Sequence, residues 1–171
     1  MPNRKWILYA IMAQALICCW ILFKVFFLPY FIWKLLGTTP LASRISDLSV
    51  LVLGTLATLT MGAVGYWHAE RYPANRSKVP TALKSMMVIH LPLFLFVGYK
   101  FLFNSAWDNY WAVYLSGWLS IVTHPMILVG FFGKWVDPIG TILLCGSYLA
   151  GVWMYFDENK DLNMARARNR E

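Results

Sequence analysis

Three histidines and three cysteines are the side chains of this 171-residue sequence best suited to hold a metal or carry a proton. His90 and His124 stand inside long apolar runs, and His68 closes an earlier one. An ionisable group within an apolar membrane span is a functional candidate, because hydrocarbon penalises it and packing alone gives no reason to keep it. Thioethers accompany the imidazoles: Met61, Met86 and Met87 one turn before His90, and Met126 two residues after His124. If consecutive spans alternate in direction, a rise of ~1.5 Å per residue puts His90 and His124 ~10 to 14 Å below one membrane face and Cys145 ~9 Å below it. His90, His124, Met126 and Cys145 then form a candidate metal layer. Imidazole, thioether and thiolate suit copper(I), and two facing imidazoles suit axial ligation of haem, so haem and copper are the cofactors this pattern admits. The plainer reading is packing for the methionines, and for the histidines a hydrogen bond to a partner helix or a freed carbonyl.

Both histidines adjoin prolines, as His90-Leu91-Pro92 and His124-Pro125. Pro92 and Pro125 each remove a backbone donor and free a carbonyl, at Val88 and Ile121, which kinks the helix. Freed carbonyls line protein-buried or watery space, so the kinks predict a cavity between their two spans. Cys18 and Cys19 are adjacent in the first run, where they pass a soft metal or simply pack. The sequence has no Cys-x-x-Cys, phosphate loop, nucleophile elbow or zinc-protease helix, which leans the reading away from an enzyme.

The elements that must position these side chains follow from composition. Hydrophobic residues make up 59% of the chain and charged residues 13%, about half the charge of a soluble domain. Five stretches, 6–23, 48–67, 86–103, 111–132 and 139–156, have 18 to 22 residues each and contain one charged residue, Lys100. At ~1.5 Å per residue each reaches across a hydrocarbon core of ~30 Å. Trp67, Trp111, Trp135 and Trp153 mark span ends as an interfacial aromatic belt does. Arg4 and Lys5 before the first run resemble a secretory leader, but no small-residue cleavage site follows, so a retained first helix is expected. Between 24 and 46, Pro29 and three cations interrupt the apolar pattern, and an interfacial segment lying on the membrane is expected. The sequence therefore predicts an all-α integral membrane protein, a single domain over 1–156 of about five transmembrane helices with one interfacial segment, and a charged soluble tail over 157–171.

Alternating spans place the N-terminus, 69–82 and 134–138 on one side and divide the cations seven against eight, so the positive-inside rule barely decides the orientation. The N-terminus is assigned inside, on the first helix and the basic 69–84 stretch. A net charge of +7 and pI near 9.5 are explained by cations flanking spans. Anionic lipid headgroups are the expected partner and nucleic acid is not, since no basic soluble face is present. Gly54, Thr58 and Gly62 recur every four positions, as do Gly146 with Ala150 and Ser147 with Gly151. Such rows let backbones approach, within the bundle or between copies.

Three functions remain open on the sequence. The leading one is a small multi-pass protein of a cell (inner) membrane that acts as an accessory or interaction subunit, bound to another membrane protein or to itself. The second is a haem- or copper-binding redox protein using His90 and His124. The third is a transporter or receptor for a small apolar ligand, using the kinked cavity.

Overall fold

A computed structural model describes residues 3–71, 78–103 and 110–160, and every element in them is helical. The elements are α1 (Asn3–Leu22), a π-helical turn (Phe23–Phe27), α2 (Leu28–Leu36), α3 (Pro40–Glu70), α4 (Lys78–Phe103), α5 (Tyr110–Leu128) and α6 (Val136–Glu158). Four runs are long and apolar enough to cross a membrane, Ile11–Leu36, Pro40–Glu70, Tyr110–Leu128 and Val136–Glu158, and α4 contributes the shorter apolar run Ile89–Phe103. The molecule is thus an all-α membrane bundle, with leucines, phenylalanines and tryptophans such as Leu35, Leu102, Trp111 and Trp153 exposed on its outside. Outward apolar side chains are what a hydrocarbon solvent selects.

The first apolar run is longer than the sequence reading gave it: 24–36, part of the expected interfacial segment 24–46, continue the helix. The helix runs on from α1 through the π turn into α2, and residues 40–46 already belong to α3. Pro29 was expected to break the stripe, because proline lacks an N–H and crowds the carbonyl four residues back. The π turn absorbs it. Leu28 N–H reaches back five residues to the Phe23 carbonyl, widening the helix ahead of the proline instead of ending it. The true end comes at Gly37, whose φ of 61° favours glycine. Thr39 then caps α3 by accepting the Ala42 N–H at 3.2 Å, with Pro40 in the first turn.

Helix sense is the second correction. Along α3 and α6 the contacts advance together: Ser147 Oγ donates to the Thr58 carbonyl at 2.5 Å, the Tyr66 and Tyr155 rings lie 5.4 Å apart, and Tyr66 Oη donates to Glu158 at 2.9 Å. These two helices are parallel. α4 opposes α6, since His90 meets Tyr148 while Lys100 pairs with Asp137 at 2.5 Å. α5 opposes α6 too, with Trp118 at the level of His90 and Thr123 against Gly140. α4 and α5 therefore share one sense, against the alternation expected of neighbours. α1 joins them: Gln14 bonds to Ile89 and Tyr114, and farther on Ile21 covers Gly117. Residues 134–136 consequently lie at the end where α4 finishes, with Phe101 and Trp135 rings 5.0 Å apart, and opposite the end that holds Arg71. Alternation had put 134–138 and 69–82 together.

The α3–α6 seam is the closest approach in the fold. A Cβ on Gly65 would overlap the Tyr148 carbonyl, and one on Gly151 would overlap the Gly62 carbonyl. Gly54 lets α3 approach α5 at Pro125, where a Cβ would also lie 2.8 Å from the Ile121 carbonyl that the proline frees. The Gly54, Thr58 and Gly62 row is therefore spent inside the chain, as is Ser147 with Gly151. Gly146 and Ala150 face outward.

Candidate functional site

The candidate side chains fall into two places, and the division differs from the layer predicted above. His90 is fully buried. Its ring packs 5.3 Å from Trp118 of α5, 5.9 Å from Tyr148 of α6 and 6.5 Å from Phe94 (centroid distances). His90 Nδ1 lies 3.2 Å from the Met86 carbonyl one turn back, not at the Val88 carbonyl that Pro92 frees. A carbonyl can only accept, so Nδ1 carries the proton and Nε2 is a bare lone pair. That Nε2 has no hydrogen-bond partner among the described residues. On the far side of Tyr148, His68 Nδ1 is 3.0 Å from the phenol oxygen. Helices α3 to α6 thus converge on a junction of two imidazoles, a phenol and an indole.

His124 is not part of it. Its side chain is exposed, six residues beyond Trp118 and so ~9 Å farther along α5. The depth arithmetic failed because α5 runs with α4 and not against it. Met126 is half-buried with its sulfur near Gly140, and Cys145 is buried on α6. Among the described residues no three His, Cys, Asp or Glu side chains converge on a metal-sized centre. The pair His90 and His124 does not face across a haem. Pro92 is exposed and Pro125 packs against Gly54.

The second place centres on Lys24. It falls in the middle of the span Ile11–Leu36 and is only 9% exposed. The π turn carries it, and the widened turn presents it to α5. There Lys24 Nζ donates to the Ser120 backbone carbonyl and, at 2.9 Å, to Ser120 Oγ, whose own hydroxyl donates to the Gly117 carbonyl at 2.7 Å. These acceptors are neutral. The described ion pair of the molecule is Lys100 with Asp137, and no described carboxylate lies within ion-pair distance of Lys24. The exposed His124 feels the charges of both Lys24 and Asp47. Removing an ammonium from water costs several kcal/mol. A hydrogen bond to a charged group returns ~1.5 to 3 kcal/mol, so the two bonds hold the side chain in place while leaving its charge uncancelled.

Lys24, Ser120, Gln14 and Tyr148 were missed in the sequence. Gln14 Nε2 donates to the Ile89 carbonyl at 2.9 Å and its Oε1 accepts from Tyr114 at 3.0 Å, tying α1 to α4 and α5. The signal was present as two polar residues, Gln14 and Lys24, in the run 6–33. Treating Lys24 as a flank concealed it.

Fold and site together define a small helical membrane protein with a mid-span cation that no described carboxylate neutralises and an imidazole junction in its core. No family model matches the sequence, and no curated protein or solved structure shows significant similarity to it.

Proposed function

We propose that this chain is a multi-pass protein of a cell membrane that acts as an accessory or interaction subunit of a membrane complex, with its flanking cations on anionic headgroups. The observation that carries this reading is Lys24, a buried ammonium in mid-span whose partners among the described residues are neutral oxygens. An intramembrane charge is kept where it meets a counter-charge or a pathway. A half-made ion pair is a reason to bind another chain. Purification from its native membrane in mild detergent should yield a membrane protein in fixed stoichiometry with the wild type, and Lys24→Met should lose that protein while remaining folded. Equal recovery with both would sink the reading.

The bare Nε2 of His90 favours a second reading, in which His90 alone supplies one ligand to a haem iron or a copper ion. Its check is metal content and a Soret band in wild type and His90→Leu side by side.

A further inference from the structure

We infer that Lys24 is one half of an ion pair whose carboxylate is an Asp or Glu side chain carried at mid-span on a membrane helix of a different protein, seated over the α1–α5 seam beside His124. The inference rests on the accessory-subunit reading and names what that subunit recognises. An ammonium has three N–H donors. Ser120 takes two of them, through its carbonyl and its Oγ. The third is left for an acceptor, and in hydrocarbon the acceptor that also cancels the charge is a carboxylate.

Self-association supplies it less well. The eight acidic residues are Asp47, Glu70, Asp108, Asp137, Asp157, Glu158, Asp161 and Glu171. The one deepest in a run, Asp47, lies seven residues into Pro40–Glu70, whereas Lys24 lies twelve residues from the matching end of Ile11–Leu36, so a second copy offers its carboxylate ~8 Å shallower than Lys24. A lipid does not reach it. Lys24 is in the middle of Ile11–Leu36, about half the ~30 Å hydrocarbon thickness from the headgroup level where lipid carboxylates and phosphates reside. A helix, by contrast, fixes a side chain at any depth. The seam is open to one: His124 is exposed on α5, and the exposed Phe23, Phe27, Ile127 and Leu128 flank Lys24 and His124 along their helices. They give an incoming helix apolar contact on either side of the charge.

The test uses the full chain reconstituted in phosphatidylcholine vesicles and a synthetic leucine-rich transmembrane peptide of about 22 residues with a single central Glu. The control peptide has Gln in its place. Energy transfer from the protein's tryptophans to a dansyl group on the peptide reads association. Close charge pairs couple by ~1.5 kcal/mol or more, so the Glu peptide should bind about tenfold tighter than the Gln peptide. The preference should vanish in Lys24→Met and persist in Lys34→Met, whose lysine is exposed near the end of α2. No preference in the wild type, a reading that needs no variant to fold, overturns the inference. So does a preference that survives Lys24→Met. Oleate added to the same vesicles is the lipid arm: a Lys24-dependent change in tryptophan emission with oleate and none with the Glu peptide assigns the carboxylate to a lipid and overturns it as well. A native partner without any mid-span acidic residue would likewise overturn it while leaving the accessory-subunit reading in place.

Discussion

His90 and Lys24 show two ways for a membrane bundle to hold a polar side chain. Lys24 reaches across to another helix, whereas His90 turns back onto its own, at the Met86 carbonyl. In α4 that carbonyl also serves the backbone N–H of residue 90 by the i to i−4 pattern. Replacing the imidazole therefore strands nothing. It also removes a buried lone pair without a partner, and an unsatisfied buried polar group costs ~1 to 3 kcal/mol. His90→Leu is expected to melt at or above the wild-type temperature in detergent. A clear fall in melting temperature would show that Nε2 has a partner in the native protein, and parallel metal and haem analysis would say which. The chemistry-bearing residues were half legible in the sequence. His90 stood out because it interrupts an apolar run, and it is indeed buried. His124 carried the same signal and is exposed, because periodicity gives position along a helix and says little about which face turns inward when every face is apolar. Lys24 was dismissed because charge was taken as the edge of a span.

At the scale of elements, the seams are set by backbone approach. Gly65 and Gly151 leave no room for a Cβ between α3 and α6, and Gly62 has Ser147 3.3 Å from where its Cβ would be. Gly146, on the opposite face of α6, has nothing within 4 Å. Overpacking a core costs ~1 to 3 kcal/mol when side chains can yield, and backbone in the way must move as a whole helix. Gly151→Leu and Gly65→Leu should abolish the folded monomer in detergent, Gly62→Leu should lower its melting temperature, and Gly146→Leu should be tolerated. A size-exclusion and thermal-melt series decides this, and unchanged melting of Gly151→Leu would mean that α3 and α6 do not meet. Element existence was readable because runs of apolar residues mark helices. The inward and outward rows were not, since Gly54, Thr58 and Gly62 look no different from Gly146 and Ala150 without their neighbours. The π turn was unreadable for a related reason: Pro29 signals a break, and whether the chain ends or widens there depends on what α5 offers to Lys24.

The whole molecule is oriented by how many runs cross, and four are long and apolar enough instead of the five the sequence suggested. Parity assumes that each span reverses the last, so one span fewer before α5 moves every later loop to the other face. With α3 parallel to α6, Arg71 and Lys160 belong to the same end, where α1 begins at Asn3 just before Arg4 and Lys5 and where α4 starts at Lys78. Lys34, Arg44, Lys100 and Lys134 belong to the other end. The sequence beyond Lys160 adds Arg166, Arg168 and Arg170. The near-even split of cations under five alternating spans becomes a marked excess at one end, and the positive-inside rule predicts that end on the inner side. Single cysteines at positions 38, 71, 134 and 160, in a chain with Cys18, Cys19 and Cys145 changed to serine, test this with a membrane-impermeant maleimide on intact cells. Thr38→Cys and Lys134→Cys should be labelled from outside, and Arg71→Cys and Lys160→Cys only after the membrane is opened. The decisive pair is 71 and 134: five alternating spans put them on one face, whereas four spans and the described contacts put them on opposite faces, so like labelling of both would return the bundle to five spans and cancel the orientation argued from it.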